Sequence, residues 1–149
     1  MVLVYYPQIF KHTDELSVFT TILDTSRVHC SHLVLIFTEN FCNRPVGIQS
    51  GRIKNSAMTA SSQWDANHGP WLARLHRARR GRLMGAWSSR HKNHNQWLQV
   101  DMGRSMKVTG IATQGRQDAD QWVTAYYIYV GSDGVNFAKV KHWWNYVKV

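Results

Sequence analysis

The sequence predicts an all-β protein, an antiparallel sandwich or barrel of short strands. Three observations carry this. Strand-like runs rich in Val, Ile, Tyr and Thr recur at 96–103, 107–115 and 124–140; clusters of Gly, Asn, Ser and Asp separate them; and no stretch carries the stripe of an amphipathic helix.

The elements follow in order. Residues 1–41 hold no glycine and mix apolar and β-branched residues without a sustained period; "LVLIF" within them reads as one buried strand. The texture changes near Cys42, where a boundary is placed. "RIKNSAMTASS" (52–62) is polar and β-compatible, as an edge strand is. "QWLQVDMG" (96–103) alternates, with Leu98, Val100 and Met102 on one face and Trp97, Gln99 and Asp101 on the other: a half-buried strand. "KVTGIATQG" (107–115) is a further strand in which Gly110 permits a bulge or close packing. "TAYYIYVGSDGVNFAKV" (124–140) is the clearest hairpin, turning at Gly131-Ser132-Asp133-Gly134.

The 149 residues suit one domain, and 44% apolar against 18% charged residues suffices for a core. Eighteen Lys and Arg against nine Asp and Glu give a net charge of +9, which favours an acidic partner: an anionic membrane, a sulfated glycan or nucleic acid. Nucleic acid is the weakest of these, since no recognition motif accompanies the charge. Cys30 and Cys42 fit no zinc spacing; a local bridge, stabilising by roughly 3 kcal/mol, and two buried thiols both remain open. "MVLVYYPQIFKH" lacks the basic leader of a signal peptide, and "HLVLIF" is too short to span a bilayer.

A series of motifs then points to a family. The Cys-x-x-Pro-x-Gly start at Cys42, MTASS, ARL, AW, QWLQVD-x-G, VTGI-x-TQG and a Tyr-rich strand leading to DGVNF stand in this order over 42–140. Together they resemble the discoidin domain, also called the coagulation factor V/VIII type C domain. The resemblance implies a jelly-roll β-sandwich of the galactose-binding-like kind, with loop "spikes" at one end. It implies a non-enzymatic module of secreted or cell-surface proteins that binds phosphatidylserine membranes, glycans, collagen or receptors. Complete members end in an Arg-rich strand and a Cys that pairs with the first. This chain ends in "KVKHWWNYVKV", so the domain is expected to be incomplete at its C-terminus, with unpaired strand edges that residues 1–41 could fill in part and only Cys30 as a partner for Cys42. The predicted organisation is therefore 1–41 unassigned, 42–140 a partial discoidin domain, and 141–149 an unassigned tail.

The binding residues are sought in the loops. "SSQWDANHGPWLARL" (61–75) matches the first spike and offers Trp64, His68, Trp71 and Leu72. An indole with one apolar and one wet edge suits a membrane interface; packing back on the barrel end is the alternative for either tryptophan. The run 71–95 is basic throughout and free of acid, with Arg79, Arg80, Arg90, His91 and Lys92 as candidates for anionic headgroups. Arg74, in the ARL element, is excluded, because the resemblance gives it a structural pairing with a carboxylate. "QGRQDADQWVT" (114–124) matches the third spike, where Gln117 and Asp118 could grip sugar hydroxyls and Trp122 is expected in the core. His91 and His94 find no third ligand, and Asp118 and Asp120 have no enclosing pocket or nucleophile, so neither metal, cofactor nor catalytic residue is expected.

These readings converge on an extracellular binding and adhesion module for anionic phospholipid or cell-surface glycan. The competing reading is a protein–protein module that recognises collagen or a receptor.

Overall fold

A computed structural model describes residues 1–6, 17–24, 44–141 and 146–148; for 2–6, 17–24, 44, 109 and 146–148 it describes the backbone alone. Cys30, Cys42 and the "LVLIF" run lie outside these residues. Ten strands are described: β1 (Val2–Tyr6), β2 (Ser17–Asp24), β3 (Arg44–Pro45), β4 (Met58–Ala60), β5 (Trp87–Ser88), β6 (Gln96–Val100), β7 (Val108–Gln114), β8 (Tyr127–Val130), β9 (Ala138–Lys139) and β10 (Tyr146–Lys148).

They form two sheets. One runs β4-β6-β1-β8-β9, antiparallel throughout; the other runs β10-β7-β2-β3, with β5 also paired to β2. The first strand of the chain thus sits in mid-sheet, Val2 opposite Val100 on one side and Val130 on the other. β2 lies beside β7, and β10 pairs in parallel along the other edge of β7. The expectation of long unpaired edges is corrected to this extent: segments outside the recognised motifs supply strands to both sheets.

The core follows from the period-two pattern. Along β6, Gln96, Leu98 and Val100 are buried and Trp97 and Gln99 are not, so one face meets the opposite sheet. Leu98, Val100, Met58 and Ile128 from the first sheet pack with Ile111 and Trp87 from the second, and Ile48, Ile53 and Met102 close the ends. The β2–β7 register shifts between Leu23 and Asp24, which face Gly110 and Val108, so the bulge anticipated around Gly110 is present.

Two sequence expectations change in detail. The edge strand over 52–62 shortens to β4, because Asn55–Ala57 forms a 3-10 turn. A second 3-10 turn, Pro70–Leu72, opens with Pro70 at its first position, where a missing N–H costs nothing. The 124–140 hairpin is real, but Asp133 widens its turn. Its carboxylate accepts the N–H groups of Val135 and Asn136 at 2.9 and 2.8 Å and the Asn136 amide at 2.7 Å, so pairing resumes only at Ala138.

Candidate binding face: a cluster of linked loops

The first loop is anchored from below. The buried Trp87 side chain donates Nε1–H to the Ser62 carbonyl at 2.9 Å, and Trp64 N–H donates to the Ser88 carbonyl at 2.8 Å. Buried Gln96 accepts from both Ser61 and Ser62 hydroxyls, at 2.9 and 2.6 Å, and donates to Asn93 at 2.7 Å. Arg90 N–H in turn donates to Ser62 Oγ at 3.0 Å. These contacts hold the 89–95 loop, with exposed Arg90, His91 and Lys92, beside the Trp64 loop.

Within the first loop Asp65 is the hinge. Its Oδ1 lies 2.6 Å from His68 Nδ1 and accepts Asn67 N–H at 2.7 Å. The bond with His68, aided by Asn67, holds the Asp65 carboxyl below the usual carboxylate range. His68 is buried by this staple, and Leu72 is 0% exposed. Both are therefore taken out of the predicted contact set. The exposed Asp65 carboxylate caps the His68 ring from the solvent side, and an apolar residue ending a 3-10 turn falls on the sandwich. Trp71 is half-buried and lies against Gly69, where a Cβ would run into its ring. Trp64 alone in this loop presents a large apolar side chain to solvent, at 48% exposure.

Arg74 is buried and structural, as expected, but its partners differ from expectation. Nε donates to the Trp71 carbonyl at 3.0 Å, Nη1 to the Ile48 carbonyl, and Nη2 to the Ile53 carbonyl at 3.0 Å and Asn55 Oδ1 at 2.8 Å. These carbonyl and amide oxygens gather three chain segments in place of a carboxylate. Burial, with the like charge of Arg77, lowers the Arg74 guanidinium below its ordinary value.

The basic loop continues outward. Arg80 and Leu83 exchange backbone hydrogen bonds of 2.9 and 3.1 Å around a turn whose Gly81 takes φ 60°. Arg79, Arg80 and Arg82 are exposed, and Leu83, which closes the turn, is 37% exposed. Met84 N–H donates to the Asn67 carbonyl at 3.0 Å, which ties this loop to the first.

The third loop is tied to the second. His76, at φ 56°, donates its N–H to Gln114 Oε1 at 3.0 Å. Arg116 grips Asp118 through Nε (2.6 Å) and Nη2 (3.3 Å), donates to Gln121 Oε1 at 2.9 Å, and reaches Met84 Sδ at 3.2 Å. This guanidinium holds the Asp118 carboxyl below the usual range. Asp118 is thus half-buried and paired with Arg116 inside the loop, while its neighbour Gln117 is exposed. Trp122, expected in the core, is 45% exposed. Arg116 N–H donates to the Gln121 carbonyl at 2.8 Å, closing the loop so tightly that Trp122 stands against Gly115 before β8 begins.

The structure thus joins Trp64, Arg79, Arg80, Arg90, His91, Lys92 and Gln117 on one set of linked loops. It adds Leu83 and Trp122, which sequence reasoning did not place there. The Arg-Gly-Arg turn before Leu83 was the local signal for the first. The Arg116/Asp118 pair, two residues apart, was the signal for the closed loop that turns Trp122 outward.

The profile of the F5/8 type C domain matches residues 57–148. Coagulation factor V of Bos taurus is 38% identical over 104 residues, which cover 66% of this chain and 5% of that protein. Lactadherin of Bos taurus is 35% identical over 107 residues, 68% of this chain and 25% of lactadherin. Retinoschisin of Takifugu rubripes is 37% identical over 93 residues, 61% of this chain and 33% of retinoschisin. The matched region spans between a twentieth and a third of these relatives. No solved structure gives a significant match. A profile match over more than half of the chain, on an all-β sandwich, shows that the protein belongs to the F5/8 type C, or discoidin, domain family.

Proposed function

We propose that this domain is a non-enzymatic, extracellular binding and adhesion module that contacts anionic phospholipid, phosphatidylserine in particular, through its linked loops. One observation carries the reading: Trp64, Leu83 and Trp122 are exposed on loops that hydrogen-bond to one another, among the cationic Arg79, Arg80, Arg82 and Arg90. An exposed indole costs little in water when a wet apolar boundary is its working environment. Arginines nearby draw that boundary close, at about 1 kcal/mol per residue near an anionic surface. Likeness to coagulation factor V and lactadherin supports the extracellular setting.

A cell-surface glycan is the second reading, favoured by Trp122 beside exposed Gln117: a ring face for stacking with an amide for hydroxyls. Titration with vesicles of phosphatidylcholine, with and without phosphatidylserine, tests the first reading at low salt. Binding that requires phosphatidylserine supports it. Indifference to both vesicles, with retention on an immobilised sulfated glycan, replaces it with the second. Capture by collagen with no response to lipid or glycan would replace both with protein recognition.

A further inference from the structure

The basic loop carries a pattern that binding to a surface does not use. Residues 77–81 read Arg-Ala-Arg-Arg-Gly: paired arginines before a glycine, with a third arginine four positions before that glycine. We infer that the Arg80–Gly81 peptide bond is a processing site for a subtilisin-type endoprotease that reads Arg-x-Arg-Arg through acidic subsites.

Geometry supports access. Ala78, Arg79, Arg80, Gly81 and Arg82 are all exposed, at the tip of a loop, where limited proteolysis concentrates. A protease that takes its substrate as an extended strand must draw the turn out, so the cost lies in opening it. Among the described residues, the backbone bonds that close it are the two between Arg80 and Leu83; Arg79 Nε adds a contact of 3.2 Å to the Gly81 carbonyl. All three are exposed and are exchanged for equivalent bonds to water or enzyme. Arg77 favours opening. Its Nε is enclosed in the fold with no hydrogen-bond partner, a Cβ at Gly85 would strike its carbonyl, and its backbone N–H makes only a long bond of 3.3 Å to the Arg74 carbonyl, so the segment is pressed in but weakly bonded. In a protease cleft the same guanidinium gains a carboxylate, which its planar fork suits.

The chemistry is hydrolysis. The protease cleaves the C–N bond, the hydroxyl of water completes the Arg80 carboxylate, and its proton goes to the Gly81 amine. Strand pairing crosses the cut: β1 with β6 and β8, β2 with β7, and β4 with β6. The product is therefore a two-chain domain that stays assembled, with a new carboxylate and a new ammonium group in the loop cluster.

The test treats the folded full chain with a purified convertase selective for Arg-x-Arg-Arg and reads intact masses. Fragments 1–80 and 81–149 are expected, co-eluting on size exclusion. Arg80→Ala and Arg77→Ala should each slow cleavage by about thirtyfold or more, as loss of one partner of a desolvated charge pair does. Circular dichroism checks that both variants fold, and Arg80 is exposed, so its variant keeps the test valid if Arg77→Ala unfolds. A synthetic peptide spanning 74–86 that is cut while the folded chain is not would overturn the proposal. So would cleavage indifferent to Arg80→Ala, or products that elute apart.

Discussion

Replacing Trp64 with alanine probes the binding face most directly. The residue is 48% exposed, and an indole side chain carries up to about 250 Å², so roughly 120 Å² is available for transfer from water. At about 25 cal/mol per Å², complete transfer contributes about 3 kcal/mol, and immersion of half of it about 1.5 kcal/mol. Trp64→Ala should therefore weaken binding to phosphatidylserine vesicles by about tenfold, with a ceiling near a hundredfold. The fold should survive, because the bond from residue 64 N–H to the Ser88 carbonyl is backbone and alanine keeps it. Vesicle sedimentation at low salt gives Kd; thermal unfolding gives stability. An unchanged Kd in a variant of unchanged stability would refute the claim that this ring enters the lipid boundary.

Further outcomes test the remaining parts. Arg79→Ala with Arg80→Ala should cost about 2 kcal/mol of vesicle affinity at low salt, about thirtyfold, and the gap to the parent should close as added salt screens the charge; a gap independent of salt would contradict an electrostatic role. Leu72→Ala removes a wholly buried side chain and should lower stability by about 2–5 kcal/mol in denaturant titration. The folded fraction should bind vesicles with unaltered Kd, since Leu72 lies beneath the face; a weakened Kd would return it to the contact set. The Asp133 carboxyl is lowered to about 2 by the Asn136 side chain and the N–H groups of Val135 and Asn136. Its depressed value stabilises the folded state fully above the unfolded pKa of about 4, and the contribution fades as pH falls through about 2. The Val135 and Asn136 amide signals should titrate with that midpoint in NMR, and a midpoint near 4 would remove the carboxylate from the turn.

Much of the architecture was legible because one face of a strand is wet and the other dry. β6 could be read residue by residue, and Leu98, Val100 and Met102 are buried as its alternation requires. The β8–β9 hairpin was announced by Gly131 to Gly134, though its strands are shorter because Asp133 gathers two further N–H groups. The stretch 52–62 misled. Arg74, about twenty positions away, draws on Ile53 and Asn55, and no local propensity reports that pull. The place of β1 was equally hidden, since membership of a sheet is settled by backbone bonds to β6 and β8 from the far part of the chain.

The chain's order of residues sufficed for the strand period, the cationic excess and the ordered motifs of a discoidin domain, because each is a local or summed property. Which aromatic rings face water was settled by folding. Trp87 is sealed and bonded to Ser62, Trp71 folds onto Gly69, and Trp64 and Trp122 stand outward. Exposure depends on what lies above a side chain, and here that is fixed by Gln96, Arg74 and Arg116 pulling distant loops together.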